Sequence, residues 1–204
     1  MSNDNKSKEK PIDVKIILVG NISVGKTCLI HHYLTGEFLE NIPSTQDGVF
    51  HHVEKQYNNQ KYNLNFWDTA GQEKYRALTK SFMRNAQIVI LVYSIVDKKS
   101  FDDLDNWLQM INDNIGKDGY ILGIAGNKND LYKEAEVKSP LGENYANENE
   151  AIFRNTSAKD KCGIRELIEE LFKDYIKKSV NGKIPKVQPG SKLVKKSKKK
   201  FLCC

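Results

Sequence analysis

The sequence has little of what marks secreted or membrane-spanning proteins. Its 204 residues contain only four cysteines, too few and too scattered for a disulfide framework. No apolar run approaches the ~20 residues that a membrane-spanning helix needs. Residues 1–10 are polar throughout and lack the apolar stretch of a secretory signal, so we expect the chain to stay in the reducing cytosol. The length suits one well-cored domain with tails.

Positive charge is concentrated at one end of the chain. The net charge is +6, from 32 lysines and arginines against 26 acidic residues. Residues 180–204 hold eight lysines and no acid, and subtracting their charge leaves −2 for residues 1–179. A basic nucleic-acid binder is one alternative, and its affinity would vanish without residues 180–204. We expect no nucleic-acid partner, because Phe201 is the one aromatic residue there for base stacking.

Short apolar runs rich in β-branched residues predict strands that are buried on both faces and lie parallel. These runs are VKIILV at 14–19, IVILVYS at 88–94 and YILGIAG at 120–126, with AIFRNT at 151–156 as the last strand. Residues 49–57 and 61–67 flank Asn58, Asn59 and Gln60, and this pattern predicts an antiparallel hairpin.

Helical spacing of apolar residues predicts helices between the strands. One covers residues 101–111, and another covers 163–178 with a continuous apolar stripe. The alternation of strands and helices indicates a doubly wound α/β domain. After Lys178, prolines, glycine and lysines replace the periodic pattern, so the sequence predicts that the domain closes there and a disordered tail begins.

A glycine-spaced loop, VGNISVGKTCLI at 19–30, is the first sign of chemistry. Gly20–Thr27 fits GxxxxGK[ST], directly after a predicted strand and before a helix. Backbone N–H groups of such a loop point at a phosphate chain, and the helix N-terminus adds positive partial charge. Lys26 would reach the β and γ phosphates, and the Thr27 hydroxyl would bind Mg²⁺. The alternative, a plain glycine turn, would not need Lys26 and Thr27.

Two further short motifs follow predicted strands and select the base. NKND begins at Asn127, at the edge where an open α/β sheet binds its ligand. The Asp130 carboxylate can accept from N1–H and the exocyclic amino group of guanine, a donor pair that adenine lacks. The Asn127 amide can brace the loops, and the Lys128 stem can cover the base. In the later motif SAK, the Ala158 N–H would lie near guanine O6. These motifs favour GTP over ATP.

With WDTAGQEKYR at 67–76, the chain resembles the Ras-like small GTPases, and within them the Rab family most closely. The resemblance covers about residues 12–178 and the terminal cysteines. It implies an α/β fold, the P-loop NTPase small G domain, with a six-stranded, mostly parallel sheet flanked by helices. Residues 1–11 would be a flexible extension and 179–204 a basic hypervariable tail.

The implied function is a GTP/GDP switch that recruits effectors and regulates intracellular vesicle traffic. The enzyme would hydrolyse GTP to GDP and phosphate slowly, and an activating protein that inserts an arginine raises such rates by ~10³–10⁵. Mg²⁺ and the γ phosphate would hold two segments, about 38–50 and 68–82, until hydrolysis. Partners would include an exchange factor, an activating protein, effectors, a GDP-dissociation inhibitor and a prenylation escort.

The resemblance also assigns roles to single residues. The catalytic residues are Lys26 and Gln72, and Gln72 would orient the attacking water. Mg²⁺ would be held by Thr27, by Asp68 through water, and by Thr45 in the GTP state only. The nucleotide-binding residues are Gly20, Ser23, Val24, Gly25, Lys26, Thr27, Cys28, Phe38, Thr45, Gly71, Asn127, Lys128, Asp130, Ser157, Ala158 and Lys159.

The resemblance also implies specific contacts for two of these residues and an effector-binding surface. Phe38 would pack edge-on against the base, and the Gly71 N–H would sense the γ phosphate. Phe50, Trp67 and Phe82 match an apolar triad that effectors read at the surface. The plainer alternative for Trp67 is core filling.

The chain departs from the family pattern at two places. Ile22 stands where small residues are usual and would crowd Gln72 or an arginine finger, which predicts slow hydrolysis; alternatively it points outward and packs on a switch residue. Gln46 and Asp47 replace the usual Ile and Gly after Thr45, and Ile42 replaces a common tyrosine. These changes affect the effector set and not the nucleotide.

The chain ends in KKSKKKFLCC, which resembles the doubly prenylated ends of Rab proteins and is not a CaaX box. Cys203 and Cys204 would carry two lipid chains that, with the lysines, anchor the protein to the cytosolic face of an endomembrane. A metal or redox cysteine pair is the alternative, but no further ligand lies nearby in the sequence. A second candidate function, a hydrolysis-poor, GTP-locked binding module for effectors, rests on Ile22.

Overall fold

The computed structural model describes residues 10–40, 49–69 and 82–182. Within these ranges six strands form one sheet in the order β2-β3-β1-β4-β5-β6, with β2 antiparallel to β3 and the other neighbours parallel. The prediction of a six-stranded, mostly parallel sheet is confirmed. The strands are β1 Ile12–Val19, β2 Val49–Tyr57, β3 Gln60–Asp68, β4 Ile88–Ser94, β5 Ile121–Asn127 and β6 Ile152–Asn155.

Helices cover both faces of the sheet in the part of the chain that the structure describes. They are α1 Lys26–Thr35, α2 Lys98–Asp102, α3 Leu104–Ile115, α4 Ser139–Glu148 and α5 Ile164–Val180, with a 3₁₀ helix at Asn129–Glu134. The apolar stripe predicted for α5 is buried. This helix continues to Val180, two residues past Lys178, and the expected division at residues 12–178 stays a prediction. None of the described helices is long and apolar enough to cross a membrane.

The single helix predicted for residues 101–111 is wrong, because a one-residue break at Asp103 separates α2 from α3. Local hydrogen bonds fix the first turn. The Asp97 carboxylate accepts from the Ser100 N–H, and the Ser100 hydroxyl accepts from the Ser94 N–H at the end of β4. These polar contacts orient α2 independently of the apolar stripe. Leu104 and Ile111 of that stripe are buried as expected.

The antiparallel hairpin is confirmed, with a shorter turn than the sequence indicated. Asn58 and Asn59 both have positive φ, 48° and 62°, as the two central residues of a type I′ turn require. Gln60 pairs with Tyr57 and begins β3, so it belongs to the strand and not to the turn.

Alternate residues of β1 supply two separate cores. Val14, Ile16 and Leu18 pack in the cluster that includes α1 and α5, whereas Ile17 and Val19 pack in the cluster that includes α3. Because the central strand is apolar on both faces, it reads as a continuous hydrophobic run, as parallel strands covered by helices do. This arrangement places the carboxyl ends of the parallel strands at one open edge of the sheet.

Candidate functional site

The candidate site lies at the edge where β1, β3 and β5 end. The loop Gly20–Gly25 follows β1, Asp68 is the last residue of β3, and Asn127 is the last residue of β5. Since these three strands run in the same direction, their ends bring together residues that are far apart in sequence. Open parallel sheets bind their ligands at this edge.

Two glycines shape the loop because no side chain fits there. Gly20 has φ 147°, and a Cβ on it would lie 2.1 Å from the Val92 carbonyl oxygen of β4. Gly25 has φ 96°, and its Cβ would lie 2.3 Å from the side-chain nitrogen of Asn127. The loop therefore packs against β4 and β5 at a distance that only glycine allows.

Lys26 begins α1 and lies under the loop, with only 5% of its surface exposed. Its ammonium donates to the carbonyl oxygens of Gly20, at 2.9 Å, and Asn21, at 2.8 Å. Burial lowers the pKa of Lys26 to about 8, against the opposing influence of the Asp68 carboxylate. A desolvated cation held by carbonyl groups attracts an anion such as a phosphate strongly.

Two of the three residues expected to hold Mg²⁺, Thr27 and Asp68, meet at this edge, and the third, Thr45, lies outside the described residues. The Thr27 hydroxyl donates to Oδ2 of Asp68 at 2.6 Å. No cluster of three histidine, cysteine or acidic side chains that suits a metal occurs in residues 10–40, 49–69 and 82–182. One hydroxyl and one carboxylate fit Mg²⁺, since this ion takes few protein oxygens and completes its shell with waters and substrate phosphates.

Asn127 braces two loops, as the sequence predicted. Its side-chain nitrogen donates to the Val24 carbonyl oxygen at 2.7 Å, and its oxygen accepts from the Thr156 hydroxyl at 3.1 Å. Asn127 and Thr156 are buried. Sequence reasoning missed Thr156; its position directly after β6 and just before the SAK motif was the available signal.

Asp130 and the SAK motif also meet. The Ser157 hydroxyl donates to Oδ1 of Asp130 at 2.6 Å and accepts from the Asp160 N–H at 2.9 Å. Ala158 is buried, whereas Lys159 is exposed. The two motifs thus form one loop cluster that orients the Asp130 carboxylate.

Other nucleotide-site predictions fall around this centre. Lys128 is half-buried and has φ 64°, a left-handed conformation that turns the chain between β5 and the 3₁₀ helix. Ser23 also has a positive φ, 62°, and is exposed. Phe38 is half-buried and packs against the cluster around α1. Cys28 is half-buried, and burial raises the pKa of its thiol, which keeps it unreactive at neutral pH.

The structure brings the three aromatic residues Phe50, Trp67 and Phe82 together in one row. The Trp67 ring centroid lies 5.3 Å from that of Phe50 and 5.3 Å from that of Phe82. Trp67 is half-buried and also packs against the cluster around α3, so it fills part of the core, and its role for effectors stays a prediction. The Lys15 ammonium lies over the Trp67 ring, 4.9 Å from its centroid. Phe50 is 43% exposed, so the row reaches the surface.

Ile22 has 44% of its surface exposed. Gln72, which it was expected to crowd, lies outside the described ranges. The other predicted positions outside those ranges are Ile42, Thr45, Gln46, Asp47, Gly71, Cys203 and Cys204.

Comparison with known proteins gives one consistent result. The sequence model of the Ras family matches residues 15–177. The chain is 35% identical over 176 residues to Ras-related protein Rab-12 of Homo sapiens, covering 85% of this chain and 72% of that protein. It is 34% identical over 193 residues to Rab-22A of Homo sapiens, covering 94% and 98% of the two chains. Rab-5A of Dictyostelium discoideum is 33% identical over 191 residues, covering 94% and 90%.

Proposed function

Because the chain belongs to the Rab family of Ras-like small GTPases, we propose that GTP hydrolysis at the edge of β1, β3 and β5 releases two surface segments and ends effector binding. The protein is a GTPase that acts in vesicle traffic. The segments are those predicted from the sequence, about residues 38–50 and 68–82. Each segment includes a residue of the site: the first contains Phe38, and the second begins at Asp68.

One observation carries this proposal: the Asn127 side chain donates to the Val24 carbonyl oxygen at 2.7 Å. This bond joins the loop that would hold the phosphates to the loop that would hold the base. A nucleotide has the same two parts, a polyphosphate and a base, at a fixed separation. Joined in this way, the two loops bind both ends of one ligand.

The proposed roles follow from the contacts. Lys26, buried and already bound to two carbonyl oxygens, neutralises charge on the β and γ phosphates. The Asp130 carboxylate, oriented by Ser157, accepts from the two guanine donors. Thr27 and Asp68 would hold Mg²⁺, which would supply positive charge against the negative charge that develops on the phosphate oxygens. Gln72 orients the attacking water, by the resemblance alone.

Calorimetry on the purified, nucleotide-free full chain tests the proposal. We expect GDP and GTP to bind in the presence of Mg²⁺ and ATP to bind far more weakly, because adenine lacks the N1–H and amino donors that Asp130 accepts. A matched variant, Lys26→Met, keeps the apolar stem and removes the charge, and it should lose most of the affinity for both nucleotides. Binding of ATP as tight as that of GTP contradicts the proposal.

We also propose that the intrinsic turnover is slow and depends on an activating protein, since phosphoryl transfer to water needs charge stabilisation that this site supplies only in part. Ile22 raises a second candidate, the GTP-locked binding module. The alternative is that Ile22 points outward and does not crowd Gln72. Single-turnover hydrolysis by the wild type and by Ile22→Gly decides between them. Equal rates, with and without an activating protein, rule out crowding, whereas a faster variant supports the locked module.

For the membrane we propose attachment through Cys203 and Cys204, with the lysines of the tail near anionic lipid. Two lipid chains are needed, because one chain gives only marginal binding. A tagged full chain should localise to one endomembrane, and the double variant Cys203→Ser, Cys204→Ser should be cytosolic. The single variant Cys162→Ser serves as a control, since Cys162 is an exposed thiol within the folded domain. A membrane-bound double variant contradicts the proposed anchor.

The row of Phe50, Trp67 and Phe82 is the surface that we propose effectors read. Phe50 supports this role, because 43% of its surface is exposed although it is a large apolar side chain. Phe50→Ala should lower effector recovery on the GTP-loaded chain and leave GDP affinity unchanged. A parallel loss of nucleotide affinity would place Phe50 in the nucleotide site instead.

A further inference from the structure

Asn21 is the second residue of the phosphate loop, and its side chain binds α3 rather than the loop itself. The amide nitrogen donates to Oδ2 of Asp103 at 2.7 Å. The indole N–H of Trp107 donates to the amide oxygen at 2.8 Å. Asp103 and Trp107 are one helical turn apart, and Asp103 is the residue at which α2 and α3 separate.

The two partners require an amide at position 21. An indole N–H can only donate, and an ionised carboxylate can only accept. Trp107 is 3% exposed, so its N–H needs an acceptor within the protein. Asparagine offers one acceptor and one donor on a short stem and satisfies both partners at once. A carboxylate at position 21 would still accept from Trp107, but it would face the Asp103 carboxylate at hydrogen-bond distance.

The backbone of the same residue holds Lys26. The Asn21 carbonyl oxygen accepts from the Lys26 ammonium at 2.8 Å, beside the Gly20 carbonyl oxygen at 2.9 Å. Gly20 itself lies against the Val92 carbonyl of β4, with no room for a Cβ. Residues 20 and 21 thus fasten the loop to β4 and α3, and the position of the lysine depends on both.

We propose that the Asp103–Asn21–Trp107 network positions the phosphate loop and sets the rate at which GDP leaves. Asn21 is a positioning residue: it acts on the nucleotide through its carbonyl group and Lys26. When the network is broken, the Asn21 carbonyl shifts, Lys26 loses one of its two fixed acceptors, and the phosphates are held less firmly. The inference rests on the proposed function, because it concerns GDP at that site.

The experiment compares GDP release from four full-length proteins loaded with a fluorescent GDP analogue in Mg²⁺. They are the wild type, Asn21→Asp, Asp103→Asn and the double variant Asn21→Asp, Asp103→Asn. In the double variant the carboxylate and the amide exchange places, so the Trp107 N–H keeps an acceptor and the pair stays complementary. We expect Asn21→Asp to release GDP about tenfold faster, as the loss of one ordinary hydrogen bond allows, and the double variant to return close to the wild-type rate.

Two controls separate positioning from general damage. Asn106 donates to Oδ1 of the same Asp103 at 3.4 Å and lies at an exposed position of α3, so Asn106→Ala should release GDP at the wild-type rate. The melting temperature of each variant shows whether it is folded. The double variant keeps the negative charge at position 21, so its recovery comes from the restored pair and not from removal of that charge.

Each result has one meaning. Recovery in the double variant supports the network. A wild-type rate in Asn21→Asp, or a double variant as fast as Asn21→Asp, overturns it. If Asn21→Asp does not fold, Asp103→Asn and the double variant still test the network, because an amide at position 103 can accept from Asn21 and can donate to a carboxylate at position 21. Both should release GDP close to the wild-type rate, and much faster release from either overturns the proposal. Failure of the wild type to bind the GDP analogue would instead contradict the proposed function.

Discussion

The Thr27 hydroxyl donates to the Asp68 carboxylate across 2.6 Å, joining residues 41 positions apart in the sequence. Thr27 lies in the first turn of α1, and Asp68 ends β3. The start of α1, directly after the phosphate loop, and the start of the second proposed segment therefore meet at two oxygen atoms. Both are hard oxygen ligands of the kind that Mg²⁺ binds.

Removing the Thr27 hydroxyl should weaken Mg²⁺ binding. Thr27→Val keeps the shape of the side chain and deletes the oxygen. We expect the Mg²⁺ concentration that half-maximally slows GDP release to rise about tenfold, the effect of ~1.4 kcal/mol of lost interaction. Release is followed by fluorescence during a Mg²⁺ titration after chelation with EDTA. Thr27→Ser keeps the hydroxyl and is the matched control. Equal midpoints for the two variants would show that this oxygen does not bind the metal.

Asn127→Ala should destabilise the fold, because it leaves the Val24 carbonyl and the Thr156 hydroxyl without their partner in the interior. Such losses cost about 1–3 kcal/mol. In a domain of this size each kcal/mol lowers the melting temperature by about 2–4 °C. Thermal denaturation of the full chain measures this. Asn144→Ala, at an exposed position of α4, should melt like the wild type. An unchanged melting temperature for Asn127→Ala contradicts the bracing role.

The sequence was sufficient for the sheet and for the base motif. The central parallel strands β1, β4 and β5 are apolar runs, and Asn127 ends β5 shortly before Asp130, where topology alone brings both residues to the ligand edge. These features depend on local patterns and on one rule of sheet geometry. The phosphate loop could also be predicted, because the spacing of Gly20 and Gly25 is typical of it.

Contacts between distant polar side chains could not be predicted in the same way. The sequence pattern around Asn21 does not predict its hydrogen bond to Asp103, 82 positions later. The break at Asp103 also escaped prediction, because Phe101 and Leu104 keep helical spacing across it. Periodicity records which face is buried, and it carries no information on which polar partners meet.

Asp130→Asn should change the base preference. The amide still accepts from guanine N1–H, but its second group is a donor and meets the guanine amino group, another donor. We expect the Kd for GDP to rise about 100-fold. Xanthosine diphosphate has an oxygen at that position, so its affinity for the variant should exceed that of GDP. Competition against a fluorescent GDP analogue measures both constants.

Asp160→Asn is the control for this exchange, because it makes the same change of charge at an exposed position beside the SAK motif. It should keep the preference for GDP. If both variants lose GDP to the same extent, net charge and not the contact with the base explains the effect. If neither loses it, Asp130 does not bind guanine.

Lys15 should make stability depend on pH in the alkaline range. Burial lowers the pKa of Lys15 from 10.5 to about 8, while its ammonium donates to the Arg84 carbonyl oxygen at 2.8 Å and lies over Trp67. Below pH 8 both the folded and the unfolded chain carry the proton, and the cost of burying the charge is fully present. Between about pH 8 and 10.5 the unfolded chain binds more protons, so the free energy of unfolding rises with pH.

Urea denaturation at about pH 7 and about pH 9.5 measures the free energy of unfolding of the wild type and of Lys15→Met, which has no proton to lose. The wild type should gain stability relative to the variant at the higher pH. Lys99→Met, at an exposed position of α2, is the control: the difference in stability between the wild type and this variant should be the same at both pH values. A constant difference between the wild type and Lys15→Met would mean that Lys15 is charged throughout this range and that Trp67 lies over an ammonium at both pH values.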